Sequence, residues 1–250
     1  MILKTESLTK RFGGIIAVNR VTLSFEKGSI TAIIGPNGAG KTTFFNLISG
    51  LIRPDSGRII YRGKNITVLP PHVRARMGIA RSFQNVSLFP HLTVIENVRL
   101  AVQGVNGGRR NWSIFSRALD MEEVNMEALR LLKLVNLENK ALELAGSLPQ
   151  ADQRKLDIVM AIASRPSLLL LDEPTSGLAV EEIPDIVSLI KSLRSSNKDL
   201  TIIMIEHKLD VVEDLAERVV VLHEGRVIAD GSPGDVARDP LVVEAYLGGS

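Results

Sequence analysis

Residues 35–42, with the sequence GPNGAGKT, have the types and spacing of a loop that binds phosphate groups. An apolar run at 30–34 before them predicts a buried strand, and residues 43–48 after them predict a helix. The glycines let backbone N–H groups turn towards a phosphate, and the helix N-terminus adds partial positive charge. Lys41 can reach the β- and γ-phosphates, and the Thr42 hydroxyl can ligate Mg²⁺.

Two further apolar runs end in groups that suit hydrolysis. Residues 168–171 are all leucine and are followed by Asp172 and Glu173, at the strand end where α/β sheets bind ligands. Asp172 can hold the Mg²⁺ shell, and Glu173 can orient and polarise an attacking water. Residues 201–205 predict a second buried strand, after which His207 can contact a γ-phosphate. From the residues alone, a single His at a strand end is more often structural.

An aromatic residue, Phe12, precedes the turn Gly13-Gly14 and can stack on an adenine ring. Taken alone, the residue types favour a core Phe over a stacking one. Gln84 ends a predicted strand at 78–84.

The remaining pattern supplies the elements that must position these groups. Period-two alternation over residues 1–30 predicts antiparallel strands, and 57–66 and 218–229 predict hairpins. Between about 86 and 163 the pattern is helical, with helices predicted at 96–102, 120–134 and 149–164. Glycines and arginines at 104–110 predict a mobile loop between the first two of these helices.

Composition limits the function classes. The chain has 250 residues, of which 45% are hydrophobic, a net charge of +2 and no cysteine. The hydrophobic content is sufficient for a large core. The small net charge does not indicate a nucleic-acid-binding protein, which would have a broad basic surface. The first residues do not resemble a signal peptide, and no apolar run approaches the roughly 20 residues that span a bilayer. We therefore expect a cytosolic chain that meets a membrane only through a partner.

Together these residues resemble the ATPase subunits of ABC transporters over nearly the whole chain. The resemblance implies a P-loop NTPase (RecA-like) α/β core with a mixed sheet at 1–85 and 164–250, a flanking antiparallel β subdomain, and a helical subdomain at 86–163. It implies catalytic roles for Glu173, His207 and Gln84, and Mg²⁺ ligation by Thr42, Gln84 and Asp172. It implies ATP binding by Phe12, Gly35, Asn37, Gly38, Ala39, Gly40, Lys41, Thr42 and Thr43, and so favours the stacking role of Phe12.

Finer details, such as Ile205-Glu206-His207 and the end Glu244-Ala245-Tyr246-Leu247-Gly248, resemble the branched-chain amino-acid importer branch. The implied function is ATP hydrolysis that drives uptake of branched-chain or related amino acids or amides. The implied partners are transmembrane permease subunits, a second ATPase subunit in a head-to-tail dimer, and indirectly a substrate-binding protein. The implied location is peripheral, on the cytoplasmic face of the cell membrane. The permease would dock on about 85–97, with the alternative that Leu88, Phe89 and Leu92 belong to the core of the helical subdomain.

Two departures from the family pattern stand out. Where the family has a signature of the Leu-Ser-Gly-Gly-Gln type, residues 148–152 read LPQAD. Pro149 has no N–H, Gln150 and Ala151 add side chains, and Asp152 either repels a γ-phosphate or turns away to cap the helix. Ala179 replaces an Asp that bridges the dimer in most of the family.

Two functions therefore stay open. The chain either pairs with a different ATPase subunit whose signature is intact, or acts as a weakly hydrolysing regulatory or assembly module. The intact Glu173 and His207 favour the first. A soluble ABC ATPase that acts on nucleic acid or ribosomes lacks support, since the chain has neither a second nucleotide core nor a basic tail.

Overall fold

A computed structural model describes residues 1–82, 88–106 and 114–247. The strands in this part are β1 (Leu3–Phe12), β2 (Ile15–Phe25), β3 (Ile30–Ile34), β4 (Ser56–Tyr61), β5 (Lys64–Asn65), β6 (Ile79–Ser82), β7 (Leu168–Asp172), β8 (Thr201–Ile205), β9 (Arg218–His223) and β10 (Arg226–Gly231). The helices are α1 (Lys41–Ser49), α2 (Pro71–Arg76), α3 (Val94–Asn106), α4 (Ile114–Leu134), α5 (Gln150–Ile162), α6 (Ile183–Ser196), α7 (Leu209–Leu215), α8 (Pro233–Ala237) and α9 (Pro240–Leu247).

The central sheet has the order β10-β9-β3-β8-β7-β6. All its neighbouring strands run parallel except β10, which pairs antiparallel with β9. The strands β3, β7 and β8 are buried at every position, as their continuous apolar sequences predict for strands covered on both faces. Because these strands are parallel, the groups that follow them meet at one edge of the sheet.

A second, antiparallel sheet has the order β2-β1-β4-β5. Its first hairpin turns at Gly13-Gly14, where Phe12 pairs with Ile15. One hydrophobic cluster joins this sheet to α1 and to one face of the central sheet, and it includes Phe25, Phe44 and Tyr61. The antiparallel strands predicted from residues 1–30 and 57–66 are therefore confirmed.

Helices α3, α4 and α5 lie between β6 and β7 in the chain. Their buried residues, such as Val98 and Leu131, belong to the same hydrophobic cluster as Leu169 and Ile202 of the central sheet. The loop predicted from residue 104 is wrong at its start, because α3 continues through Gly104 to Asn106. Buried Val102 keeps this last turn attached to the core, which outweighs the low helix propensity of glycine. The rest of that prediction lies outside the described residues.

Arg74 of α2 connects α1 to the segment between β5 and α2. Its side chain is buried and donates to the carbonyls of Leu47 (2.6 Å) and Ile48 (2.7 Å), in the last turn of α1. It also donates to the carbonyls of Leu69 (2.9 Å) and Thr67 (3.0 Å). Burial lowers the pKa of the Arg74 guanidinium to about 10. One cation thus satisfies carbonyls that a helix C-terminus leaves without intrahelical donors.

None of the helices within the described ranges is long and apolar enough to cross a membrane.

Candidate functional site

The loop between β3 and α1 requires glycine at its turning points. Gly35, Gly38 and Gly40 have φ values of 145°, 81° and 97°, which residues with a side chain rarely adopt. A Cβ atom at Gly35 would also collide with the carbonyl of Leu222, and one at Gly40 with the carbonyl of Ala17. The backbone of this loop therefore packs directly on neighbouring strands and has a fixed shape.

The other loop residues present backbone and hydroxyl groups. Ala39 is buried, Asn37 and Gly38 are exposed at the tip, and Thr42 and Thr43 lie in the first turn of α1. The N–H groups of a first helical turn have no intrahelical acceptor, so they are available to an anion. The Thr42 side chain is exposed at the same end.

Lys41 lies below this loop. Its Nζ donates to the carbonyls of Gly35 (2.6 Å) and Pro36 (3.0 Å). Burial lowers the pKa of Lys41, and the carboxylates of Glu173 and Asp172 partly oppose that shift. The opposing effect shows that the loop and the end of β7 share one electrostatic environment.

Asp172 ends β7 and is buried. Its Oδ2 accepts from Nη2 of Arg81 at 2.6 Å, whereas its buried Oδ1 has no hydrogen-bond partner among the described residues. A buried oxygen of this kind fits a metal ligand, and with the Thr42 hydroxyl it suits Mg²⁺, which uses few protein ligands plus phosphate and water. Within the described ranges no three His, Cys, Asp or Glu residues form a cluster that could hold a metal alone.

Glu173 and His207 are brought together although 34 residues separate them. His207 Nε2 lies 3.0 Å from Glu173 Oε1, and the Glu173 N–H donates to the carbonyl of Ile205 at 3.0 Å. Glu173 has a φ of 49°, which costs a residue with a side chain about 1–3 kcal/mol. Such a strained carboxylate, held at the end of a buried strand, is typical of a functional site.

Sequence reasoning missed two residues that hold this site, Glu206 and Arg81. Buried Glu206 accepts from the Thr175 N–H (3.1 Å) and hydroxyl (2.5 Å), and from the His207 N–H (2.9 Å). It therefore ties the loop after β7 to the end of β8. The available signal was a charged residue attached directly to a fully apolar strand, since buried charges need partners.

Two further predicted site residues are Phe12 and Gln84. Phe12 ends β1 with 51% of its surface exposed, and Lys10 Nζ lies 5.4 Å from its ring centroid. It does not belong to the core, so its face can stack on a ligand. Gln84 lies outside the described residues, and its predicted role stays a prediction.

The altered signature begins α5. Pro149 precedes the helix, and no side chain caps it, so the prediction that Asp152 caps this helix is wrong. Asp152 instead pairs with Lys140 at 2.6 Å and with Lys155 at 3.8 Å. Lys140 is therefore the main counter-charge of Asp152, because Lys155 pairs more closely with Asp185, at 2.6 Å.

The two departures from the family pattern also meet in space. A Cβ atom at Gly177 would collide with the side-chain amide of Gln150, so that side chain lies against the loop at 176–179. Ala179 is exposed in this loop, and its N–H donates to Glu182 Oε2 at 3.0 Å. The Gln150 side chain, which the glycine of the family signature would lack, therefore covers part of the loop in which Ala179 replaces the bridging Asp.

The segment that begins at residue 88 presents an apolar side chain. Phe89 is 53% exposed, while Leu88 packs partly against the core and Leu92 is half-buried. Buried Asn97 accepts from the Phe89 N–H at 2.8 Å and donates to the Phe89 carbonyl at 3.1 Å. The backbone beneath Phe89 is therefore fixed on both sides.

This surface segment is also joined to the residues before the altered signature. The Gly146 N–H donates to the Pro90 carbonyl (3.0 Å), and the Ala145 N–H donates to the Leu92 carbonyl (2.9 Å). A Cβ atom at Gly146 would lie only 2.9 Å from Pro90 Cβ. The two segments therefore pack backbone against backbone.

Comparisons with protein families agree with this geometry. Residues 18–176 match the family described as ABC transporter, and residues 226–250 match the family described as branched-chain amino acid ATP-binding cassette transporter. The chain is 40% identical over 253 residues to the high-affinity branched-chain amino acid transport ATP-binding protein BraF of Pseudomonas aeruginosa. That match covers 99% of this chain and 98% of the relative.

Solved structures show the same fold. The ADP conformation of MJ1267, an ATP-binding cassette of an ABC transporter, superposes with a TM-score of 0.84 at 32% identity, covering 99% of this chain and 98% of that one. The dimeric post-hydrolysis state of the cassette MJ0796, bound to ADP and Pi, superposes with a TM-score of 0.79 at 28% identity, covering 93% and 99% of the two chains.

Proposed function

Because this chain belongs to the ABC transporter family, in the branch of branched-chain amino-acid ATP-binding proteins, we propose that it drives uptake of branched-chain or related amino acids or amides. It is an ATP-binding subunit that hydrolyses ATP. The observation that supports hydrolysis is the Glu173–His207 pair at the sheet edge that also carries the loop of Lys41 and the buried carboxylate of Asp172, and the similarity to BraF supports the substrate class. Separate permease subunits carry the substrate.

Hydrolysis is an in-line displacement at the γ-phosphorus. A water oxygen attacks as the bond from the γ-phosphorus to its bridging oxygen breaks, and ADP and phosphate leave. Glu173 accepts a hydrogen bond from that water, and His207, 3.0 Å from Glu173, holds the carboxylate in place. Lys41 and the N–H groups of the first turn of α1 compensate the phosphate charge. Phe12 stacks on the adenine ring.

Magnesium fits the residues at this edge. Thr42 and Asp172 would hold it, with Gln84 as a further ligand, and the ion would compensate charge on the phosphoryl oxygens. The support is the buried Asp172 Oδ1, which has no hydrogen-bond partner among the described residues.

The altered signature favours a partner that is a different ATPase subunit. In a head-to-tail dimer, residues 148–152 would face the nucleotide of the partner, where Pro149 donates no N–H and Gln150 adds a side chain. The site built on Lys41, Asp172 and Glu173 would then be completed by an intact signature and would hydrolyse ATP. The other site would turn over slowly.

The same observation supports a second candidate, a weakly hydrolysing nucleotide-binding module that regulates or assembles a transporter. In a homodimer both sites would contain Pro149 to Asp152, and both would be slow. The strained, paired Glu173 favours the first candidate, because a module without turnover needs no such carboxylate.

Docking to the permease involves the surface around Phe89. An exposed aromatic side chain on a backbone fixed by Asn97 suits a preformed contact, since little conformational entropy is lost on binding. Leu88 packs partly against the core, so its substitution would affect folding as well. The chain would then lie peripherally on the cytoplasmic face of the membrane, and a substrate-binding protein would act through the permease.

Reconstitution tests this function. The chain is co-expressed with a neighbouring ATPase, permease subunits and binding protein, and ATP hydrolysis and leucine uptake are measured in vesicles. We expect ATP-dependent uptake, and we expect Glu173→Gln to abolish turnover while ATP still binds. The matched control is Glu213→Gln, at an exposed carboxylate on α7, which leaves both rates unchanged.

Hydrolysis at the wild-type rate by Glu173→Gln would refute the assigned role of Glu173. Hydrolysis without uptake of any branched-chain or related amino acid or amide would refute the substrate class. Nucleotide binding without turnover in every combination of subunits would favour the regulatory module.

A further inference from the structure

Arg81 joins the two halves of the nucleotide site. It lies on β6, three residues before Gln84, with 7% of its side chain exposed. Its Nη2 lies 2.6 Å from Asp172 Oδ2, and its Nη1 donates to Asn46 Oδ1 (2.6 Å) and Ser49 Oγ (3.2 Å) on α1. The guanidinium also lies over the ring of Phe45, 5.7 Å from the centroid. One side chain therefore touches the end of β7 and the helix that follows the phosphate loop.

We propose that Arg81 is a positioning residue for the metal-binding carboxylate, an inference that rests on the proposed function. By holding Oδ2 of Asp172, it leaves the buried Oδ1, which has no hydrogen-bond partner among the described residues, available to a metal. By holding Asn46 and Ser49, it fixes the distance between that carboxylate and α1, which carries Thr42. The metal position is thereby set before nucleotide arrives.

Arg81 would have two opposing effects on metal affinity. The positive charge of Arg81 repels a cation, whereas its hydrogen bonds fix the orientation of the ligand. A buried carboxylate without a partner would be costly and would seek other donors, so Asp172 alone would not keep Oδ1 in place. Residues that orient a metal ligand typically account for about 10–100-fold in metal affinity. We therefore expect loss of Arg81 to weaken metal binding.

The planar fork matters as much as the charge. Nη1 and Nη2 reach α1 and β7 at the same time, which the single ammonium of lysine does not do in a fixed geometry. Arg81→Lys keeps the charge and loses the fork, while Arg81→Met loses both. If charge alone mattered, only Arg81→Met would change metal binding.

Metal binding by the full chain tests the proposal. Mn²⁺ is titrated in the presence of ADP and followed by the loss of the free-ion EPR signal, and ADP binding is measured separately in EDTA. We expect both Arg81→Lys and Arg81→Met to weaken Mn²⁺ binding about tenfold while ADP binding in EDTA stays unchanged. The matched control is Arg58→Met, at an exposed arginine on β4, with wild-type values in both assays.

Each other outcome overturns the assignment. Unchanged Mn²⁺ affinity, or an equal loss of Mn²⁺ and metal-free ADP binding, would show that Arg81 only supports folding. If Arg81→Met does not fold, Asn46→Ala removes the anchor on α1, and a smaller loss of Mn²⁺ affinity is expected; no loss refutes the proposal. A wild-type chain that binds no Mn²⁺ with ADP would overturn this inference and the proposed function together.

Discussion

Replacement of Arg74 by methionine should destabilise the phosphate-loop helix more than any surface change. The guanidinium is buried and donates to four carbonyls, of Leu47, Ile48, Thr67 and Leu69. Methionine fills similar space and donates to none of them. The carbonyls at the end of α1 would then be buried without donors.

The magnitude follows from two opposing contributions. Burial lowers the pKa of Arg74 from its ordinary value to about 10, so the charged side chain is disfavoured by about 3 kcal/mol, which its removal would recover. Four hydrogen bonds from a charged donor contribute about 1.5–3 kcal/mol each, or about 6–12 kcal/mol together. The hydrogen bonds win, and we expect Arg74→Met to lower the free energy of unfolding by at least about 3 kcal/mol.

Thermal unfolding followed by circular dichroism measures this change. For a chain of this size, 3 kcal/mol corresponds to a decrease of about 6–12 °C in Tm. Arg76→Met is the matched control, because Arg76 is exposed on the same helix, and its Tm should stay within about 2 °C of wild type. A Tm for Arg74→Met equal to that of the control would refute the reasoning and would mean that water reaches these carbonyls.

Three further predictions concern the site and its surfaces. Lys41→Ala should weaken ATP binding at least tenfold in equilibrium titration, because it removes a cation from the β/γ-phosphates; affinity equal to wild type would contradict the role of this lysine. In a homodimer, Asp152→Gln alone should change the ATPase rate less than about threefold, because Lys140 already pairs with Asp152, whereas restoring Ser, Gly, Gly and Gln at 149–152 should raise it at least tenfold. A repaired signature without a faster rate would exclude that explanation. Phe89→Asp should abolish co-purification with the permease at unchanged Tm, whereas the exposed control Val68→Asp should change neither the association nor the Tm. A lower Tm with retained association would instead make Phe89 a folding residue.

Sequence reasoning predicted most of the elements because each has a local signal. The glycines at 35–40, the leucines at 168–171 and the run at 201–205 predicted their loop and strands. It failed where the decisive contact is not local. The charge of Asp152 is compensated partly by Lys140, twelve residues upstream, and no local pattern reveals that pairing. Gly104 predicts a loop by composition, but packing of its neighbours keeps it helical.

The same difference between local signals and long-range contacts applies to the candidate site. Lys41, Asp172 and Glu173 are predicted by motif, whereas the residues that fix them are not. Arg81 and Glu206 act across 91 and 31 residues respectively, through partners that only the sheet order β6-β7-β8 brings close. A charged residue within an apolar strand was the available signal, but it does not identify the partner.

The contact between Gly146 and Pro90 restricts how this chain can change over generations. The absence of a side chain at 146 is required by space alone, since a Cβ atom there would lie 2.9 Å from Pro90 Cβ and 3.0 Å from its carbonyl oxygen. A substitution at 146 would therefore require a compensating change at Pro90, beside the surface proposed to meet the permease. Selection on the shape of the membrane partner would in this way restrict which residues are allowed next to the altered signature, two residues further along.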